Sequence, residues 1–125
     1  MGFESSTVTI EPKEQHRYSL IWLHGLGDTG QGFKSFFTSD VILPHCKVIL
    51  PTAPKRKVTV LGGQISTSWY DITSFSNPDV VTDQMLAKKF NQQQIKISVG
   101  KVVDLINAEV EKLGDPSKVF IGGFS

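Results

Sequence analysis

A single cysteine, Cys46, is all the thiol the chain carries. No internal disulfide can therefore close, which fits a reducing compartment. An excess of charge of either sign is missing as well: 13 basic against 12 acidic residues leave a formal net charge of +1. That balance gives no argument for nucleic acid or an anionic membrane, and no nucleic-acid partner is expected. No apolar run approaches the ~20 residues that a bilayer-spanning helix needs. The first six residues also lack the basic start and apolar stretch of a secretory signal. A cytoplasmic protein with no stable membrane insertion is expected. Gly2 and Ser6 satisfy the loose N-myristoylation pattern, against which the bulky Phe3 stands. The three histidines, His16, His24 and His45, show no metal-ligand spacing with one another or with Cys46. Neither a metal nor a cofactor is expected.

Asp and Glu are missing altogether between Asp40 and Asp71, and this gap decides how the first glycine-rich stretch is read. Gly25, Gly27 and Gly30 spell G-x-G-x-x-G after the apolar run 19–23, the spacing of a dinucleotide phosphate cradle. Such a site needs a carboxylate about 20 residues further on to hold the ribose hydroxyls, and there this chain has Pro51-Thr52-Ala53-Pro54. Lys55, Arg56 and Lys57 could meet a 2′-phosphate instead, although a short basic run is more often solvated surface. An oxyanion hole asks for something else: backbone N–H groups aimed at one point with no side chain in the way. Leu26, flanked by Gly25 and Gly27, offers such an amide. His24, at the end of the strand, reads as a brace for the loop and not as a general base.

Hydrophobic patterning predicts strands at 7–10, 19–23, 47–50 and 119–121. Asp28 or Thr29 caps a helix that carries Phe33, Phe36 and Phe37 on one face. Two prolines at 51–54 end the third strand, and 55–68 reads as a polar loop. Asn77-Pro78 looks like the N-cap and first position of a modest helix toward Phe90. The clearest helix follows, its apolar stripe running from Ile95 to Leu113 at the period of about 3.6 residues, with Gly114 at its stop. Gly100 inside it costs about 1 kcal/mol relative to alanine. Strand alternating with helix predicts an α/β fold: a parallel sheet with helices on both faces.

The last strand runs into Gly122-Gly123-Phe124-Ser125, the first half of the G-x-S-x-G elbow that lifts a nucleophilic serine above a sheet. Small residues are needed there because the serine sits in a strained backbone conformation where strand and helix approach closely.

Four blocks, HGLGDTG (24–30), PTAP (51–54), SWYDI (68–72) and GGFS (122–125), resemble in order and spacing the acyl-protein thioesterase and lysophospholipase (phospholipase/carboxylesterase) family. The resemblance implies an α/β-hydrolase fold, mostly parallel in its sheet, of which residues 1–125 form the N-terminal part of a single domain ending at the nucleophile elbow. It implies a Ser-Asp-His triad and hydrolysis of acyl thioesters or esters through an acyl-enzyme, with S-acylated proteins or lysophospholipids as substrates. Carried over by position, Ser125 matches the nucleophile and Leu26 the first oxyanion N–H. Gly25 and Trp69 match substrate-binding positions, with plain core packing as the other reading of Trp69. Asp71 resembles a structural carboxylate and not the triad acid. Two features depart from the family: 73–90 is longer, and Asn91, Gln92, Gln93 and Gln94 stand where relatives carry an acidic run. The chain order serine, acid, histidine places both partners beyond Ser125. These residues are therefore expected to belong to a longer enzyme and to be inactive alone. The alternative expectation is a non-catalytic fragment or acyl-binding module.

Overall fold

Two runs of bulky β-formers make the middle of the sheet. In the computed structural model, which describes residues 6–76 and 81–125, β2 (Tyr18–Leu23) and β3 (Cys46–Leu50) lie parallel, Leu20 opposite Val48 and Ile21 opposite Ile49. β1 (Val8–Ile10) pairs with the other side of β3, and β6 (Val119–Gly123) runs parallel to β2, giving the order β1-β3-β2-β6. β1 is antiparallel to β3, so the sheet is mostly and not wholly parallel. A short antiparallel edge strand of this kind is common on otherwise parallel sheets.

Side-chain alternation along β2 divides the core. Ser19 and Ile21 are fully buried on the face covered by α2 (Gln92–Leu113), which contributes the buried Ser98, Val102 and Glu109. Leu20 and Trp22 point the other way, toward the cluster of Phe37, Val48 and Leu50. Helix α2 begins earlier than its apolar stripe because its first turn is polar: Asn91 caps it, accepting from the Gln94 N–H at 3.0 Å. It ends where Gly114 adopts φ 72, the left-handed stop that glycine takes without a Cβ clash. The preceding helix, α1 (Asp83–Lys89), is capped by Thr82, whose hydroxyl accepts from the Met85 N–H at 3.2 Å. The expected Asn77-Pro78 start lies outside the described residues, as does Gly2.

Two expectations need correction. The single helix after Thr29 is a 3-10 turn (Gln31–Phe33) followed by a π turn (Phe36–Asp40). Thr29 still accepts from the Gly32 N–H at 3.1 Å, and the rings of Phe33 and Phe37 both stand edge-on to Trp22 at 5.6 Å. Residues 55–68 are not a loop but an antiparallel ribbon of β4 (Lys55–Val58) and β5 (Gln64–Thr67). A 3-10 turn (Thr59–Leu61) and two glycines, Gly62 at φ 70 and Gly63 at φ 81, reverse the chain between them. Each of the two strands buries one residue, Val58 and Thr67. A ribbon lying on the surface needs so few apolar positions that its composition looks like that of a loop.

Among the described residues no helix is long and apolar enough to cross a membrane.

Candidate active site

β6 and β2 finish side by side, with Gly123 opposite Leu23 and the Phe124 N–H donating to the Leu23 carbonyl at 3.1 Å. Ser125 has φ 64, the one non-glycine residue at positive φ among the described residues. Such a conformation costs an L-residue about 1–3 kcal/mol and has to be held by its surroundings. The backbone of Gly25 lies against it: a Cβ built on Gly25 would stand 3.0 Å from the Ser125 Cβ, 3.4 Å from its Oγ and 3.0 Å from the Phe124 carbonyl oxygen. Only glycine leaves this space, so the end of β6 and the loop after β2 meet backbone to side chain.

That loop is tied down on several sides. Gly27, at φ 84, donates its N–H to the Thr67 carbonyl at 3.0 Å. The Thr67 hydroxyl donates to the Asp28 carbonyl at 2.7 Å. The Gly30 N–H donates to the Thr52 hydroxyl at 2.8 Å, and a Cβ on Gly30 would collide with the Leu50 carbonyl oxygen. Trp69 donates its indole N–H to the His24 carbonyl at 2.8 Å, its ring 5.0 Å from the imidazole. His24 itself is 2 % exposed, and both of its ring nitrogens are engaged: Nδ1 with the Gly25 carbonyl at 2.7 Å and Nε2 with the Ala53 N–H at 2.9 Å. Against this, no acceptor among the described residues meets the Leu26 N–H. Leu26 and Gly25 thus share the loop beside Ser125, and Trp69 joins them through His24.

The carboxylate of the 68–72 block is committed elsewhere. Asp71 accepts from the Thr59 hydroxyl at 2.6 Å and the Thr59 N–H at 2.8 Å, and these bonds hold its carboxyl below the ordinary aspartate range. Its own N–H donates to Gln94, which ties the 68–72 block to α2. Ser98 does the same one turn later, donating to the Trp69 carbonyl at 2.5 Å. Arg56, the middle of the basic run, donates Nε–H to the Ser68 carbonyl at 2.8 Å, so it braces the ribbon.

At the opposite end of β2, Glu109 is the centre of a buried network. Its Oε1 accepts from Ser19 at 2.7 Å, and its Oε2 lies 3.1 Å from Lys47 Nζ and 3.5 Å from Lys112 Nζ. Because Ser19 spends its single hydroxyl hydrogen on Glu109, the 2.8 Å contact with His16 Nε2 has the imidazole as donor. Burial would raise the Glu109 carboxyl, but the bonds from Ser19 and Lys47 and the two ammonium charges outweigh it and hold it below the usual glutamate value. Burial pushes the Cys46 thiol up, toward an unreactive form.

Sequence reasoning passed over Glu109, Ser98, Thr52 and Thr67. The first two sit on α2, where a polar residue beside an apolar stripe is the available signal. The threonines act through backbone partners that no local pattern reveals. Among the described residues, no group of His, Cys, Asp and Glu is placed to hold a metal ion.

Among the described residues, no strand pairs with the outer side of β6. Phe120 and Ile121, on opposite faces, are 51 % and 55 % exposed, and an apolar hollow of about 390 Å³ runs between Ile121, Leu23, Trp69 and the Val99, Val102 and Val103 side of α2.

Residues 4–125 match the Phospholipase/Carboxylesterase family. The chain is 39% identical over 126 residues to acyl-protein thioesterase 1 of Schizosaccharomyces pombe, an alignment covering 100% of this chain and 52% of that protein. It is 33% identical over 120 residues to lysophospholipase-like protein 1 of Mus musculus, covering 93% of this chain and 46% of that one. Among solved structures it is similar to acyl-protein thioesterase 2 of Zea mays, with a TM-score of 0.71 and 31% identity over 95% of this chain and 46% of that chain. The chain spans about half the length of the curated relatives it matches.

Proposed function

The chain belongs to the phospholipase/carboxylesterase family and has part of its α/β-hydrolase fold, and from that premise we propose that Ser125 is the nucleophile of a serine hydrolase acting on acyl thioesters or esters. The observation that carries the reading is the contact between Ser125, strained at φ 64, and the Gly25 backbone. It sets a hydroxyl beside a loop whose Leu26 N–H is unclaimed among the described residues, and this pairing of nucleophile and donor is what acyl transfer requires.

In this reaction Ser125 Oγ attacks the acyl carbonyl carbon while a base removes its proton. The carbonyl oxygen becomes an oxyanion facing the Leu26 N–H. Collapse expels a thiolate or alcoholate, which takes the proton from the base, and leaves an acyl-serine that water then hydrolyses by the same steps. Gly25 keeps the approach to Ser125 free of side chains, and Trp69 forms an aromatic wall beside the loop. The relatives named as thioesterase and lysophospholipase-like protein support S-acylated proteins or lysophospholipids as substrates. The lone cysteine supports a cytoplasmic setting.

The triad acid and base come from polypeptide outside these 125 residues. His24 has both nitrogens engaged, Asp71 is held by Thr59, and Glu109 is held by Ser19 and Lys47. The open side of β6, apolar on both faces, is the place for that polypeptide to pack, since strands buried on both faces belong inside such sheets.

A fluorophosphonate, which captures an activated serine, tests the reading. With the full-length protein, one adduct mapping to Ser125 and absent from Ser125→Ala is expected. An adduct on another residue, or none, overturns it.

A further inference from the structure

We infer that His24 is a positioning residue for the oxyanion loop: held as the neutral Nδ1–H tautomer, it sets the direction in which the Leu26 N–H points. This rests on the proposed role of Leu26 as oxyanion donor.

The tautomer follows from the two partners. Nδ1 faces the Gly25 carbonyl oxygen at 2.7 Å, an acceptor, and must therefore carry a hydrogen. Nε2 faces the Ala53 N–H at 2.9 Å, a donor, and must present its lone pair. The Nε2–H tautomer would set two lone pairs against each other at the first contact and two hydrogens at the second. An imidazolium would keep the first bond and lose the second. At 2 % exposure no solvent is at hand to repair either mismatch, and an unmet buried donor or acceptor is expensive. Among the described residues the ring's partners are Gly25, Ala53 and the Trp69 indole, none of them charged.

The mechanical consequence lies in one peptide plane. The Gly25 carbonyl and the Leu26 N–H belong to the same planar trans unit, so they point in opposite directions and turn together. The Gly25 oxygen accepts from two donors, His24 Nδ1–H and the Asp28 N–H at 3.1 Å. Held there, it fixes the whole plane and leaves the Leu26 N–H aimed away from both. Ala53 completes the brace by fixing the imidazole at Nε2, and Trp69 by fixing the His24 backbone at its carbonyl. Gly25, with no Cβ, would otherwise leave this plane free to turn about its own ψ.

Two measurements on the full-length protein decide the matter. Nitrogen-15 NMR of histidine-labelled wild type is expected to show His24 with Nδ1 protonated and Nε2 bare. An Nε2–H or imidazolium signature overturns the inference whatever the variants do. The substitutions then separate positioning from folding. His24→Asn places an amide nitrogen where Nδ1 is and keeps the bond to Gly25. His24→Phe keeps the ring and neither bond. For the folded enzymes, His24→Phe is expected to lower kcat about 100-fold, the scale of losing one oxyanion donor, with KM changed by less than about threefold. His24→Asn is expected to recover most of kcat. Equal kcat for His24→Phe and wild type overturns the inference while Ser125 labelling keeps the hydrolase reading intact. Failure of Ser125 to label removes that reading, and the tautomer measurement still decides by itself whether the brace exists.

Discussion

Gly25 and Ser125 are packed so closely that a methyl group on the glycine would stand 3.0 Å from the serine Cβ. Neither backbone can yield freely: Phe124 is bonded to Leu23, and the loop is tied to Thr67 and Thr52. Gly25→Ala should therefore displace the serine or the loop by a few tenths of an ångström or more. Misplacement on this scale is costly to acyl transfer, and a loss of about 100-fold in the rate of fluorophosphonate labelling is expected for the full-length enzyme. A labelling rate equal to wild type would show that the contact is slack.

Two other glycines should respond in opposite directions. A Cβ on Gly30 would run into the Leu50 carbonyl oxygen, whereas one on Gly100 would meet no other part of the described residues within 4 Å beyond its own helix turn. Gly30→Ala must push β3 away from the loop and should cost several kcal/mol, on the order of 3 or more. Gly100→Ala removes backbone freedom from an exposed turn of α2 and should stabilise by about 0.5–1 kcal/mol. Urea unfolding midpoints give both signs directly.

Glu109 joins β2, β3 and α2 through Ser19, Lys47 and its own helix. Glu109→Gln keeps an acceptor for Ser19 but leaves Lys47, with only 13 % of its side chain exposed, without its counter-charge. A loss of about 2–3 kcal/mol is expected, somewhat below the full penalty for stripping one partner from a buried pair.

The same carboxylate predicts a pH dependence with a definite sign. Its folded-state pKa is depressed, so the stability it contributes is fully present above the unfolded value, about 4.3 for glutamate. That contribution is lost as pH falls through this value toward the folded one. Unfolding free energies of wild type should fall more steeply than those of Glu109→Gln between about pH 5 and pH 3. Parallel curves would show that Glu109 is not the group responsible.

Trp69→Phe preserves an aromatic face toward His24 and removes the indole N–H that bonds its carbonyl. The expected cost is about 1 kcal/mol of stability, the net worth of a neutral hydrogen bond. Thermal unfolding checks it, and a change near zero would mean that the ring contact alone carries the brace.

Much of the fold was legible in side-chain pattern. β2, β3 and β6 stand out as runs of bulky residues. Helix α2 shows in its apolar stripe and its glycine stop, because burial of one face imposes a period on the chain. The ribbon at 55–67 was illegible for the converse reason: with Val58 and Thr67 its two buried positions, it leaves no period to read. The irregular turns after Thr29 escaped too, since a spacing that suits one α-helix does not reveal that Phe33 closes a 3-10 turn and that Phe36 and Phe37 open a π turn. Of the candidate site, Gly25, Leu26, Trp69 and Ser125 could be singled out from short ordered blocks, as could a bracing part for His24.

The amino-acid sequence by itself determined what is local: which segments form the four-stranded sheet, and where α2 begins to bury a face and stops. Only the tertiary structure decided what meets what. The direction of β1, the gathering of His16, Ser19, Lys47 and Glu109, the tautomer of His24 and the contact of Gly25 with Ser125 all join residues far apart in the chain. A residue's type states what bonds it can make. Which partner it receives is set by how the sheet, the helix and the loop pack together, and that choice is where this chain's candidate chemistry resides.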